Sequence, residues 1–164
     1  MTMKPKNRLF WLIAIVGIGL DYLTKQWTVQ TFRVGESITI IPGVLNFTHV
    51  KNPGAAWGLF SAHPELLLSL SIIASVALAI CGWTMRLTRW EQMGYGFLFS
   101  GAFGNGIERL LAGEVVDFLQ VFPVTRFPIF NLADVWINCG IACFILAAIS
   151  EAAGDRRREP PLPK

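Results

Sequence analysis

Ionisable residues are scarce in this chain. Of its 164 residues only 15% are charged, against 53% apolar, and the mean hydropathy is +0.50. A soluble domain has roughly a quarter of its residues charged, so that class is excluded. Histidine is nearly missing: His49 and His63 are the only two, and neither has a partner at useful spacing, which makes each a surface or turn residue. No Gly-x-Ser-x-Gly elbow and no His-Glu-x-x-His stretch occurs, so Ser-His-Asp and zinc-peptidase chemistry lack their residues. Cysteine is limited to Cys81, Cys139 and Cys143, all inside apolar runs, where a thiol packs as a small hydrophobe. They imply no disulfide framework. With no His or carboxylate at ligand spacing beside them, no metal and no cofactor are expected. The net charge of +3 sits at the ends of apolar runs and in the tails instead of forming a stripe, so no nucleic acid is expected as a partner.

What the chain has in abundance is long apolar runs. The first, Leu9 to Leu20, follows Lys4, Lys6 and Arg8 in the manner of a cleavable signal peptide, but no small-x-small site follows it. It continues through Asp21 and Lys25 to Trp27 and reaches the length of about 20 residues that spans a bilayer. Further runs extend from about Leu66 to Trp83, Met93 to Leu111 and Asp134 to Ser150. Between the first two, Ser37–Ile41 and Val44–Val50 alternate around a Pro42-Gly43 turn, which predicts a small β-element over about 34–60. The expectation is therefore an all-α membrane protein of four transmembrane helices. Residues 1–150 would form one domain, and 151–164 a solvated, disordered tail. Four spans put both termini on one side. That side and the middle loop hold Lys4, Lys6, Arg8, Arg86, Arg89, Arg156, Arg157, Arg158 and Lys164, which outnumber Lys25, Arg33, Lys51, Arg109 and Arg126 on the other. The richer side is the cytoplasmic one, so the β-element is extracytoplasmic.

Against this background two aspartates stand out. Asp117 follows the third run and Asp134 begins the fourth, so both fall at the outer end of a span, where an ionised carboxylate is costly and by default functional. Asp21, Asn52, Asn105, Arg109 and Asn131 fall at the same level. Two close carboxylates cannot both ionise easily. One can take a proton from water while the other donates to a carbonyl, which attacks a peptide bond without a covalent intermediate. Plainer readings exist for each residue. Asn131 and Asp134 are spaced as a helix cap, Asp117 can end a strand or pair with Arg109, and Asp21 and Lys25 can form an i, i+4 interfacial ion pair beside Trp27.

The motifs Asp21-x-x-Thr24-Lys25, Asn52-x-Gly54-Ala55-Ala56, Gly101-Ala102-x-Gly104-Asn105-x-x-x-Arg109, Val115-Val116-Asp117-Phe118 and Phe130-Asn131-x-Ala133-Asp134 occur in that order. Together they resemble the lipoprotein signal peptidase (signal peptidase II) family of aspartyl peptidases. The resemblance implies an enzyme of the bacterial inner membrane that cleaves prolipoproteins just before a cysteine carrying diacylglycerol. It implies Asp117 and Asp134 as the catalytic dyad, and Asn52, Gly101, Asn105, Arg109 and Asn131 as substrate-binding groups. Asp21 and Lys25 would support the site structurally. Prolipoproteins and membrane lipids would be partners, and globomycin-type cyclic peptides inhibitors. Tyr22, Trp57 and Glu108 depart from the residues usual at those places. Two other classes compete. A small proton-coupled transporter or channel subunit would relay protons through the same carboxylates, and a non-enzymatic assembly factor would tolerate asparagine at both.

Overall fold

A computed structural model of the chain describes residues 6–125 and 127–156, with side chains described as far as Ser150. Lys4, Arg126 and residues 157–164, which entered the charge count and the tail expectation, lie outside the described residues. The elements follow in the order α1 (Arg8–Thr31), β1 (Ser37–Ile41), β2 (Leu45–Asn52), a 3₁₀ turn (Ala56–Gly58), α2 (Pro64–Thr84), α3 (Arg89–Ala112), β3 (Val115–Val121) and α4 (Leu132–Arg156). The helix boundaries at α2 and α3 follow from local chemistry. Pro64 opens α2. Thr88 and Glu91 form a reciprocal capping box on α3, and Gly113 closes that helix in the left-handed conformation at φ 76°.

Among the described residues three helices are long and apolar enough to cross a membrane: α1, α2, and α4 over Leu132–Ser150. α3 has the length, at 24 residues, but it carries Gln92, Asn105, Glu108, Arg109 and a series of glycines. It packs against α1, α2 and α4 alike. A helix walled by three others meets little lipid, so it can be polar where the outer helices cannot. The glycines make that position possible. A β-carbon at Gly96 would press on Ile13 of α1, one at Gly106 on Ser71 of α2, and one at Gly101 on the Ala133 carbonyl of α4. The outward faces are apolar, with Ile15 68% and Leu111 79% exposed, while Asn7, Asp21, Lys25, Thr28, Ser100 and Asn105 are buried. This is the inverse of a soluble protein and suits a lipid surround.

At one end of the bundle Asn7 ties α1 to the α2–α3 turn. Its Nδ2 donates to the carbonyls of Gly82 and Met85 at 2.9 and 2.8 Å. At the other end lies the sheet, antiparallel in the order β1-β2-β3. The predicted β-element supplies β1 and β2. β3 is an addition from the stretch after α3, and it pairs Asp117 with Val50 and Val115 with Asn52. Phe47 of β2 meets Trp27 of α1 and Phe118 of β3 edge-on, seating the sheet on the bundle.

Two expectations need correction. His49 is neither at the surface nor in a turn. It is buried in β2 with Nδ1 2.9 Å from the Phe32 carbonyl, because the sheet folds back over the end of α1. His63 is exposed ahead of α2, as expected. Helix α4 does not stop at Ser150 but continues to Arg156, so 151–156 are helical instead of disordered. Glu151, Ala152 and Ala153 are good helix formers and extend a helix already nucleated in the bundle.

Candidate active site

Asp117 and Asn52 lie diagonally on one face of the β2–β3 ladder, a spacing within side-chain reach. Asn52 Nδ2 donates to Asp117 Oδ2 at 2.8 Å. The other carboxylate oxygen accepts from Asn131 Nδ2 at 2.7 Å. Asn131 is brought there by its neighbour, since Phe130 bridges to Leu119 by backbone bonds and lays the entry of α4 against β3. The Asn131 Oδ1 accepts from the Asp134 N–H at 3.1 Å, and the Asn131 N–H donates to Asp134 Oδ2 at 3.2 Å. The cap predicted for these two residues is therefore real, and it also orients a carboxylate. Asn105 Nδ2 donates to the remaining oxygen, Asp134 Oδ1, at 2.9 Å.

Behind this layer sits a buried cation. Lys25, 1% exposed, places Nζ 2.9 Å from each of Asp21 Oδ2, Glu108 Oε2 and Asn105 Oδ1. Because Asn105 Oδ1 is held by the ammonium and also accepts from Asn131 Nδ2 at 3.1 Å, its own N–H₂ must face Asp134. Asp21 Oδ1 accepts from the Ala133 N–H at 2.9 Å, and Glu108 Oε2 from the Val116 N–H at 3.2 Å. The charges thus hold the backbone one residue before each aspartate. Arg109 does not pair with Asp117. It donates from Nη2 to the Gly54 carbonyl at 3.1 Å, and its Nε is buried with no hydrogen-bond partner among the described residues.

Asp117 and Asp134 both line a cavity of about 640 Å³, together with Asn52, Gly101, Asn105 and Arg109. Its walls are otherwise largely apolar, from Leu70 and Ala74 of α2, Ile137 of α4, and Trp57, Phe127 and Ile129 of the loops. Burial pushes the Asp117 carboxyl up to about 7. The Asn52 amide holds it down, the neighbouring Asp134 pushes it up, and Asn131 and Lys25 draw it back. Such a group keeps a proton near neutral pH beside a second carboxylate that is open to the same cavity. Among the described residues no group of three or more His, Cys, Asp and Glu side chains could hold a metal.

The residues singled out from sequence converge here, and Asn131, Asp21 and Lys25 do so without lining the cavity. Glu108 was noticed only as a departure from a family pattern, yet it is the second anion on Lys25. Its signal was spacing: Asn105 and Glu108 are i, i+3 on α3. Asn138, the Phe127–Phe130 loop and the α2 wall were not anticipated.

Two carboxylates on one cavity, one of them proton-bearing, at the sheet-capped end of an apolar bundle, are the equipment of a membrane-embedded aspartic peptidase. Residues 13–150 match the family described as Signal peptidase (SPase) II. The lipoprotein signal peptidase of Trichormus variabilis is 46% identical over 159 residues, covering 95% of this chain and 99% of that protein. The one from Microcystis aeruginosa is 50% identical over 147 residues, covering 88% and 94%. Two bacterial membrane enzymes solved by the in meso method, at 2.3 and 1.9 Å resolution, superpose with TM-scores of 0.82 and 0.76. They are 34% and 36% identical, covering 92% and 85% of this chain and 93% and 91% of theirs. The chain belongs to the signal peptidase II family, and it is an aspartic peptidase of lipoprotein processing in a bacterial membrane. The transporter reading finds no support in any of these relatives.

Proposed function

We propose that the protein is an endopeptidase of the bacterial inner membrane that removes the signal peptide from diacylglyceryl-modified prolipoproteins, cutting just before the lipidated cysteine. Asp117 and Asp134 are its dyad. The observation that carries this is the amide net, in which Asn52, Asn105 and Asn131 hold two carboxylates of separate elements toward one largely apolar cavity. Asp117, carrying the proton, donates to the scissile carbonyl while its partner takes a proton from the attacking water. The buried Arg109 Nε is a donor that an incoming backbone carbonyl would satisfy. Gly101 brings α3 close to α4 and lines the cavity beside the dyad.

In this reading α3 also crosses the bilayer, which makes four spans with both termini cytoplasmic and the sheet at the extracytoplasmic face. The positive charge on the Arg86–Arg89 side supports that orientation. Substrate enters laterally from the lipid, and a globomycin-type cyclic peptide blocks the dyad. The test is cleavage of a lipidated prolipoprotein by the purified protein in detergent. Wild type should cut before the lipidated cysteine, and Asp117→Asn and Asp134→Asn should fold but lose at least about 100-fold in rate. Near-normal turnover by either variant would reduce that aspartate to a cap or a strand residue.

A further inference from the structure

We infer that Asn138 is a substrate-binding residue whose side-chain amide hydrogen-bonds the signal-peptide backbone about two residues before the scissile bond. The inference rests on the lipoprotein-peptidase reading above and deepens it. Asn138 is four residues after Asp134 on α4, hence on the same helix face and about 6 Å further into the bundle. It lines the same cavity as the two aspartates and is exposed there. An open amide at that depth is costly in hydrocarbon unless something uses it.

Its orientation is fixed. Asn138 Nδ2 donates to the Asp134 carbonyl at 2.8 Å, and the flipped amide would set two oxygens against each other. One N–H and the Oδ1 remain, a donor and an acceptor side by side. Most other polar side chains of the cavity are already engaged: Asn52 and Asn105 donate to carboxylates, Ser71 turns its hydroxyl back to Leu67 at 2.8 Å, and Arg109 donates from Nη2 to the Gly54 carbonyl, its Nε having no partner among the described residues. The apolar lining of this cavity includes Leu70, Ala74 and Ile137, the last of them the residue before Asn138.

A signal peptide must be extended where it is cut, so its backbone N–H and C=O groups lose their helical partners in a place that water scarcely reaches. A side-chain amide with one free donor and one free acceptor answers that need. The signal peptide runs from inside to outside, so residues before the scissile bond lie on the deeper side. At about 3.3 Å per extended residue, 6 Å corresponds to two residues.

The test uses a lipidated peptide substrate and analogues in which one backbone amide at a time, from the first to the fourth residue before the bond, is replaced by an ester. Asn138→Leu should lower kcat/KM about three- to tenfold on the all-amide peptide, chiefly through KM. An ester at the second or third residue should weaken wild type by a similar factor and the variant no further, while esters elsewhere weaken both equally. Should leucine disturb the helix, Asn138→Ala serves the same comparison. If the variant cleaves as wild type does, or loses the same factor on every analogue, Asn138 merely shapes α4 and the inference is wrong. Failure of wild type on the all-amide peptide would sink the proposed function together with the inference, an outcome distinct from failure of Asn138 alone.

Discussion

In the proposed mechanism the chemistry turns on the carboxyl of Asp117, and its proton makes the enzyme's pH response predictable. Burial holds its pKa at about 7, so the proton needed for catalysis is present below that pH and lost above it. kcat/KM should therefore fall on the alkaline side. The Asn52 amide donates to this carboxylate and favours its anion. Asn52→Leu removes that donor, raises the pKa and should move the alkaline limb to higher pH. A limb that stays put, or moves down, would show that another group titrates. Lys25 invites a second prediction. It is the one cation between Asp21 and Glu108 in a buried site, and Lys25→Met would leave both anions uncompensated, costing on the order of 3–5 kcal/mol. Adding Glu108→Gln should recover part of the lost thermal stability, because one of those charges disappears. A double variant less stable than the single would contradict this account.

At the scale of elements, helix approach is set by hydrogen in place of a side chain. Gly101→Ala would drive a β-carbon into the Ala133 carbonyl and push α3 away from the entry of α4, where Asn131 and Asp134 sit. About 1–3 kcal/mol of stability should go, and cleavage with it. Gly19→Ala is the control, since nothing lies within 4 Å of its added carbon, and it should leave activity unchanged. The Gly54–Phe60 segment forms part of the cavity's cover. Trp57 and Phe60 there hold positive φ of 57° and 61°, a conformation costly for bulky residues. Trp57 stands edge-on to Phe127 at 6.5 Å, closing the loops toward each other. Cysteines at 57 and 127, once oxidised, should suppress turnover, and reduction should restore it. Unchanged turnover in the oxidised form would mean that substrate does not need this cover to move.

For the molecule as a whole, the proposed four-span topology turns on α3. α3 is too polar to be counted on hydropathy, but it is enclosed by three helices that are not. Single cysteines at Arg86 and at Gly113, the two ends of α3, should react with an impermeant reagent from opposite sides of the membrane. Labelling of both from one side would remove α3 as a crossing. Three helices were legible as long apolar runs, α3 as a glycine-rich run between Met93 and Leu111 with polar residues at its outer end, and β1 and β2 because alternation and a Pro-Gly turn mark them. β3 was not, since Val115–Val121 could not be told from an irregular connection without its partner strand.

Composition alone determined that this is a membrane protein, and motif order alone pointed to its family and to Asp117 and Asp134. Those are properties of residue types and of short spacings along the chain. The tertiary structure decided what the supporting residues do. Arg109 was free to pair with Asp117 in sequence, but the fold turns it to the Gly54 carbonyl. His49 looked superficial and is buried. Asn105 was an amide of unknown orientation until Lys25, eighty residues away, fixed which end faces Asp134. The reason is common to all three cases: a hydrogen bond depends on distance and direction in space, and partners this far apart in the chain meet only once the helices have packed.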